Sequence, residues 1–402
     1  MRPGHETVFE SGETAISIRL IALGLALFVA TGCIANCATA GPQESGSGWN
    51  DPSPVKAEMQ TMLDGLVASG KMPAVFAAVG GAGMDPIVIC SGHRRAGKNA
   101  EVTATDLVHI GSCTKAMTAA LVGRLVDQGK LDWKDTIAMR LPELKDKIDP
   151  VWHDKTFVQL LSHTAGVPHD PVNWWGGKGE TATEKRNDII AFTLKNARTG
   201  EIPEWEYSNL GVMIAGQMAA ESMDCSWEEL ITRELFQPLG MSTAGFGPPG
   251  DQKKTDQPWG HLLDEKKEFH PVYQDNAPAL GPAGRVHLSM ADWLKFTGIF
   301  YDSDQPGFLT DSTRSRLTRP IAQGYAMGWI VLNRPWGNGT VIYHNGSNTM
   351  WMAVCWISPK TGRSYLVVLN HAGDEAAELA DQVVAKLISL ERGYQSGKSG
   401  NR

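Results

Sequence analysis

The sequence predicts an α/β chain of the α+β kind: an antiparallel sheet built from both chain ends, flanked by helices, with an inserted mainly helical domain. Three observations carry this prediction. Strand-like apolar runs crowd residues 72–94 and 325–371, separated by turns such as "GGAGMD", "RPWGNG" and "PKTGR". Helical spacing and long loops dominate the stretch between them. No G-x-G-x-x-G joins a strand to a helix, which argues against a dinucleotide-binding sheet.

The elements follow in chain order. "RLIALGLALFVATGC" places a mostly apolar run after Arg19 and before Cys33. That run is short for a permanent membrane span and fits the core of an export signal over residues 1–32. Ala30-Thr31-Gly32-Cys33 resembles a bacterial lipoprotein processing box, which would make Cys33 a lipid anchor; the other reading is an ordinary cysteine near a peptidase site. The expected location is the periplasm or a membrane-anchored position in a bacterial envelope. Residues 33–56, rich in Gly, Ser and Pro, read as a tether without packed structure.

Residues 57–129 and 286–392 are expected to form the sheet-plus-helix domain. "AEMQTMLDGLVAS" has helical spacing, and "MPAVFAAVGG" and "DPIVICSGHR" read as a hairpin. From Gly111 to Gln128 an apolar stripe of Met117, Ala120, Leu121, Leu125 and Val126 marks a helix that Gly129 stops. Residues 130–285 read as the inserted domain, with helices in "TEKRNDIIAFTLKNA", "NLGVMIAGQMAAESM" and "SWEELITRELFQPLG". Ser226 and Glu229 make a capping box there, and Ser289 with Asp292 repeats the device. "YAMGWIVLN", "TVIYHNG", "WMAVCWISP" and "SYLVVLNH" are strand-like. "EAAELADQVVAKLISLE" is an amphipathic helix that leaves 393–402 as a disordered tail.

Composition narrows the function. The chain is 42% hydrophobic and 20% charged with a net charge of -7, and it has no basic block to hold phosphates, so no nucleic-acid partner is expected. The cysteines form neither C-x-x-C nor a zinc spacing, and no H-E-x-x-H occurs; neither metal nor cofactor is expected. Without G-x-S-x-G the nucleophile elbow of α/β hydrolases is missing.

The chemistry centres on "GSCTK". Ser112 and Lys115, at i and i+3, share a helix face. Ser112 sits at a first turn, where unpaired N–H groups favour developing negative charge. A serine hydroxyl needs a base, and a lysine becomes one only when burial or cationic neighbours lower its pKa. The same placement suits an N-cap serine. A second S-x-x-K, Ser53 to Lys56, lies in the tether and lacks any support to hold its side chains. Cys113, one helix step away, points toward the core and reads as filler.

Further along, "GSCTKAMTAALVGRLVDQGKLDWKD" resembles the first signature of the serine beta-lactamase and penicillin-binding protein family, most like its class C branch with its esterases and D-peptidases. "VQLLSHTAGVP" is also typical of that branch, although His163 and His169 within and beside it read as structural. The family's Y-x-N element is matched by Tyr207-Ser208-Asn209. Its K-T-G or H-x-G strand is matched by His344-Asn345-Gly346. Each motif is short; their order and setting make the match specific, over roughly residues 57–390.

The resemblance implies a beta-lactamase/transpeptidase-like fold and acyl transfer through Ser112, with Lys115 and Tyr207 moving its proton. A lysine ammonium nearby would depress the Tyr207 pKa. Asn209 would orient Lys115 and an acyl oxygen, or else cap the following helix. The backbone N–H groups of Ser112 and Ser347 would hold the oxyanion, with Gly346 allowing close approach. His344 replaces the lysine by which beta-lactamases hold a substrate carboxylate, and offers a directional hydrogen bond instead. Trp174 and Trp175 form either a cleft lip or packing. The expected function is an exported serine hydrolase acting on esters, D-amino-acid amides or peptides, or beta-lactams. The alternatives are a beta-lactamase or D-Ala-D-Ala carboxypeptidase proper, and a non-catalytic envelope binding protein. The partner is a small molecule or peptide with an acyl group, and Cys33 would add membrane attachment.

Overall fold

Six strands drawn from the two ends of the chain make one antiparallel sheet. Its order is Ile87–Gly92, Ala74–Gly81, Arg363–Leu369, Met352–Ser358, Gly339–Ser347 and Ile330–Arg334. The computed structural model describes residues 53–301, 307–373 and 375–399; the expected export segment and Cys33 lie outside them. Ala74–Gly81 seals the two ends together by pairing Phe76 with Val368 and Val79 with Tyr365. It is buried almost throughout, as expected of an apolar central strand covered on both faces. Helices Ser53–Ala68 and Ala376–Ser399 pack on the sheet and on each other, and Met290–Thr297 packs against Ala74–Gly81.

The helices between the sheet's two parts surround Asn209–Glu221. That helix buries Leu210, Val212, Met213, Ile214, Ala215 and Met218, so it is apolar around its whole circumference, the signature of a helix in a core. It packs against Thr114–Asp127 and the short turn Gly281–Gly284. Ser226 and Glu229 form the expected capping box.

Several expectations need correction. The first helix begins at Ser53, not Ala57, and Val55 is buried, so "SPVK" is helical rather than tether. Pro54 suits a first helical turn, where its missing N–H costs nothing. The last helix runs to Ser399, past the expected start of the tail at 393. Ser289 caps its helix through the N–H of Asp292, but the Asp292 carboxylate turns away to Thr243 and Lys295. Two short sheets escaped the sequence pattern. Leu107–His109, Val286–Ser289 and Gly245–Phe246 make one, and Gly260–Leu263 with Phe269–Val272 the other. Runs of two to four residues are too short to show an alternation.

Candidate active site

Ser112 lies in a 3-10 turn, Gly111–Cys113, that runs into the helix Thr114–Asp127. It caps neither element; Ile110 and Cys113 hold those positions. Its Oγ instead meets Lys115 Nζ at 2.9 Å, and the same Nζ lies 2.7 Å from the Ala283 carbonyl. The i, i+3 spacing stacks the two side chains, and the core does the rest: Lys115 is fully buried. Burial pulls its pKa from 10.5 down to about 7, against the pull of Asp170 and Cys113. That displacement corresponds to about 5 kcal/mol against the charged form. A neutral amine so placed donates to Ala283 and accepts from the Ser112 hydroxyl, which is the geometry of a base.

Tyr207 corrects an expectation. Burial drives its pKa up rather than down, and the neighbouring Ser112 hydroxyl offsets this only in part. Lys115 Nζ stands 4.9 Å from the centre of the phenol ring, over its face, and brings little fixed charge to stabilise a phenolate. The Tyr207 hydroxyl is buried without an aligned hydrogen bond. It therefore keeps its proton near pH 7.

Asn209 opens its helix as the first residue, and Ser208, through the Gly211 N–H, is the cap. The Asn209 amide donates to Asp170 at 2.9 Å, whereas Lys115 Nζ is engaged by Ser112 and Ala283. Asp170, unmarked in the sequence reading, also pairs with His169. Burial would raise its pKa, but those two bonds hold it below the ordinary range.

His344 departs furthest from expectation. It is 1% exposed, with Nε2 3.0 Å from the Tyr325 hydroxyl and Nδ1 against the Asn345 carbonyl. Burial first, and Lys115 second, lower its pKa to about 3. A neutral ring with both nitrogens engaged has no hydrogen bond left for a substrate carboxylate. Tyr325, absent from every motif, closes this wall with His163, whose ring centre lies 4.5 Å from that of Tyr207 and 4.6 Å from that of Tyr325. His163 adopts a φ of 65° and accepts from the Ser208 N–H, so the loop before Tyr207 is locked from within.

Two glycines let the Ser112 turn and the Ser347 strand approach closely. A Cβ on Gly346 would fall 2.1 Å from the Ile110 oxygen and 2.6 Å from the Ser112 nitrogen. A Cβ on Gly111, whose φ is 49°, would fall 2.4 Å from the Ser347 nitrogen. No other residue allows this approach. Cys113 is buried and its thiol faces the His344 carbonyl, as filler should. Trp174 packs partly into the core, whereas Trp175 is 70% exposed. Asp264, Glu268 and His270 bring ligand atoms within 4.8 Å of one another on the exposed hairpin, but His270 is already paired with Asp264.

Comparison with known proteins bears on the family and the fold. A family model described as Beta-lactamase matches residues 59–388. Penicillin-binding protein 4 of Amycolatopsis lactamdurans is 28% identical over 71% of this chain and 75% of its own length. The protein flp of Staphylococcus aureus is 23% identical over 75% of the chain, which spans only 60% of flp. Among solved structures, the D-amino acid amidase of Ochrobactrum anthropi SV3, complexed with L-phenylalanine amide, superposes with a TM-score of 0.70 at 20% identity. That superposition covers 85% of this chain and 99% of the amidase, and it establishes a shared fold.

Proposed function

For a chain that belongs to the Beta-lactamase family, we propose an exported acyl-serine hydrolase of esters and D-amino-acid amides or peptides, with beta-lactams as poor substrates. The observation that carries this is the fully buried Lys115 amine at 2.9 Å from Ser112 Oγ. The neutral His344 weighs against beta-lactams, because burial keeps it uncharged where the resemblance would put a carboxylate-holding lysine.

In this reading Ser112 Oγ attacks the acyl carbon while its proton passes to Lys115 Nζ. The carbonyl oxygen takes the negative charge between the N–H groups of Ser112 and Ser347. As the tetrahedral intermediate collapses, the bond to the leaving group breaks and Tyr207 gives that group its proton. Lys115 restores the proton to Tyr207. Water then attacks the acyl-serine with the same groups in reverse, releasing the acid. Asn209 and Asp170 border the acyl side chain, and Trp175 forms the lip.

A fluorophosphonate probe should label the protein at Ser112, and Ser112→Ala should abolish labelling. Labelling that persists in S112A sinks the assigned nucleophile. Failure to turn over any ester, amide or beta-lactam in a panel on the wild type moves the reading to a binding protein. Among the described residues no helix is long and apolar enough to cross a membrane. In this reading attachment is through Cys33, and metabolic palmitate labelling that survives Cys33→Ala would reject that cysteine as the anchor.

A further inference from the structure

Asp275 lies in no motif, yet its buried carboxylate meets residues that flank all three parts of the site. Its side chain is 2% exposed. Oδ1 stands 3.0 Å from Asn348 Nδ2 and 2.9 Å from His109 Nε2, the latter off the line of the N–H and so an electrostatic contact more than an aligned bond. Oδ2 accepts from Arg285 Nε at 3.2 Å. Each partner leads directly to the chemistry. His109 Nδ1 accepts from the N–H of Gly111 at 3.2 Å, the residue before the nucleophile. Asn348 follows Ser347 and fixes the next corner by accepting from the Met350 N–H at 3.3 Å. Arg285 follows the turn that carries the Ala283 carbonyl, and the neighbouring Asn276 holds Gly284 O at 2.9 Å.

Burial alone would raise the Asp275 pKa, but His109, Arg285 and Asn348 together hold it below the ordinary range, so it stays ionised. A buried charge with partners on three segments is costly to break and directional. We propose that Asp275 is a positioning residue for acyl transfer. It keeps the Ser112 turn, the Ser347 corner and the carbonyl that orients Lys115 in mutual register, and so sets the spacing of the two oxyanion donors. The proposal rests on the acyl-serine reading above.

The test is Asp275→Asn in the full chain, with Asp381→Asn as a control. Asp381 is half-buried and accepts from Trp356 Nε1 at 3.1 Å, away from the site residues. A misplacement of the reacting geometry should lower kcat by about 100-fold while KM moves less than about threefold. Because oxyanion donors serve every acyl substrate, the loss should be equal for a p-nitrophenyl ester and an amide. D381N should keep kcat at a matched loss of Tm. If D275N does not fold, Asn348→Ala removes a single link and should still cost about tenfold in kcat. A folded D275N with wild-type kcat overturns the proposal. So does a D275N loss no larger than that of D381N at equal Tm, or, where D275N fails to fold, an unimpaired N348A. A wild type that takes no probe at Ser112 removes the underlying acyl-serine reading instead, and this proposal with it.

Discussion

The Tyr325 hydroxyl lies 3.0 Å from His344 Nε2, and both side chains are buried, so each closes the other off from the cleft. A lysine in place of His344 would bury a cation beside the Lys115 amine. His344→Lys should therefore lose about 3 kcal/mol or more in urea unfolding and gain no nitrocefin turnover. Faster nitrocefin hydrolysis at unchanged stability would contradict the sealed wall.

Lys115 should dominate the pH profile. Its pKa of about 7 means that kcat/KM rises as pH passes through 7 and the amine loses its proton. Tyr207, held above its ordinary value of 10.0, keeps its proton through pH 9, so no falling limb appears below that. Stability follows the same group. Between pH 7 and 10.5 the unfolded chain binds the proton that the native lysine refuses, so the unfolding free energy rises with pH across that window. Lys115→Arg, charged at every pH, should erase the rise in rate.

Tyr207 as proton donor makes its effect depend on the leaving group. Tyr207→Phe should slow amide hydrolysis by about 10²- to 10⁴-fold. A p-nitrophenyl ester, whose leaving group needs no proton, should suffer much less. Equal losses on both substrates would return Tyr207 to the role of first base.

Gly346→Ala should be worse than its single methyl suggests. Its Cβ would meet backbone on the nucleophile turn, not a side chain that could rotate away. A loss of about 1–3 kcal/mol from overpacking is expected, with a fall in fluorophosphonate labelling rate. Labelling at the wild-type rate would show that the two segments can part without harm.

Asp170 should select for charge. It is ionised, partly exposed and tied to Asn209. Phenylalanine amide should be preferred over its des-amino analogue, 3-phenylpropionamide, and Asp170→Asn should reduce that preference about fivefold. An unchanged ratio would remove Asp170 from the binding surface.

The sheet was legible because both of its halves carry strand patterns with turns between them, and Ser112 and Lys115 met because helical geometry stacks i and i+3. Burial depth was not legible. "YSN" does not reveal that the Tyr207 hydroxyl is enclosed, so the direction of its pKa came out reversed. Nor does "HNG" reveal that Tyr325, nineteen positions earlier, takes up His344 Nε2. Asp170 and Asp275 matter through contacts with residues remote in the chain, which no local spacing encodes.

The interlock of Gly111 with Gly346 also imposes an order in time. A chain emerging from its N-terminus carries Ser112 and Lys115 long before the segment that must close over them has been made. The nascent polypeptide thus holds a serine without an oxyanion site and a lysine still in water, hence charged. The proposed acyl-transfer site is therefore assembled only when the last strands dock, after nearly the whole chain has been made.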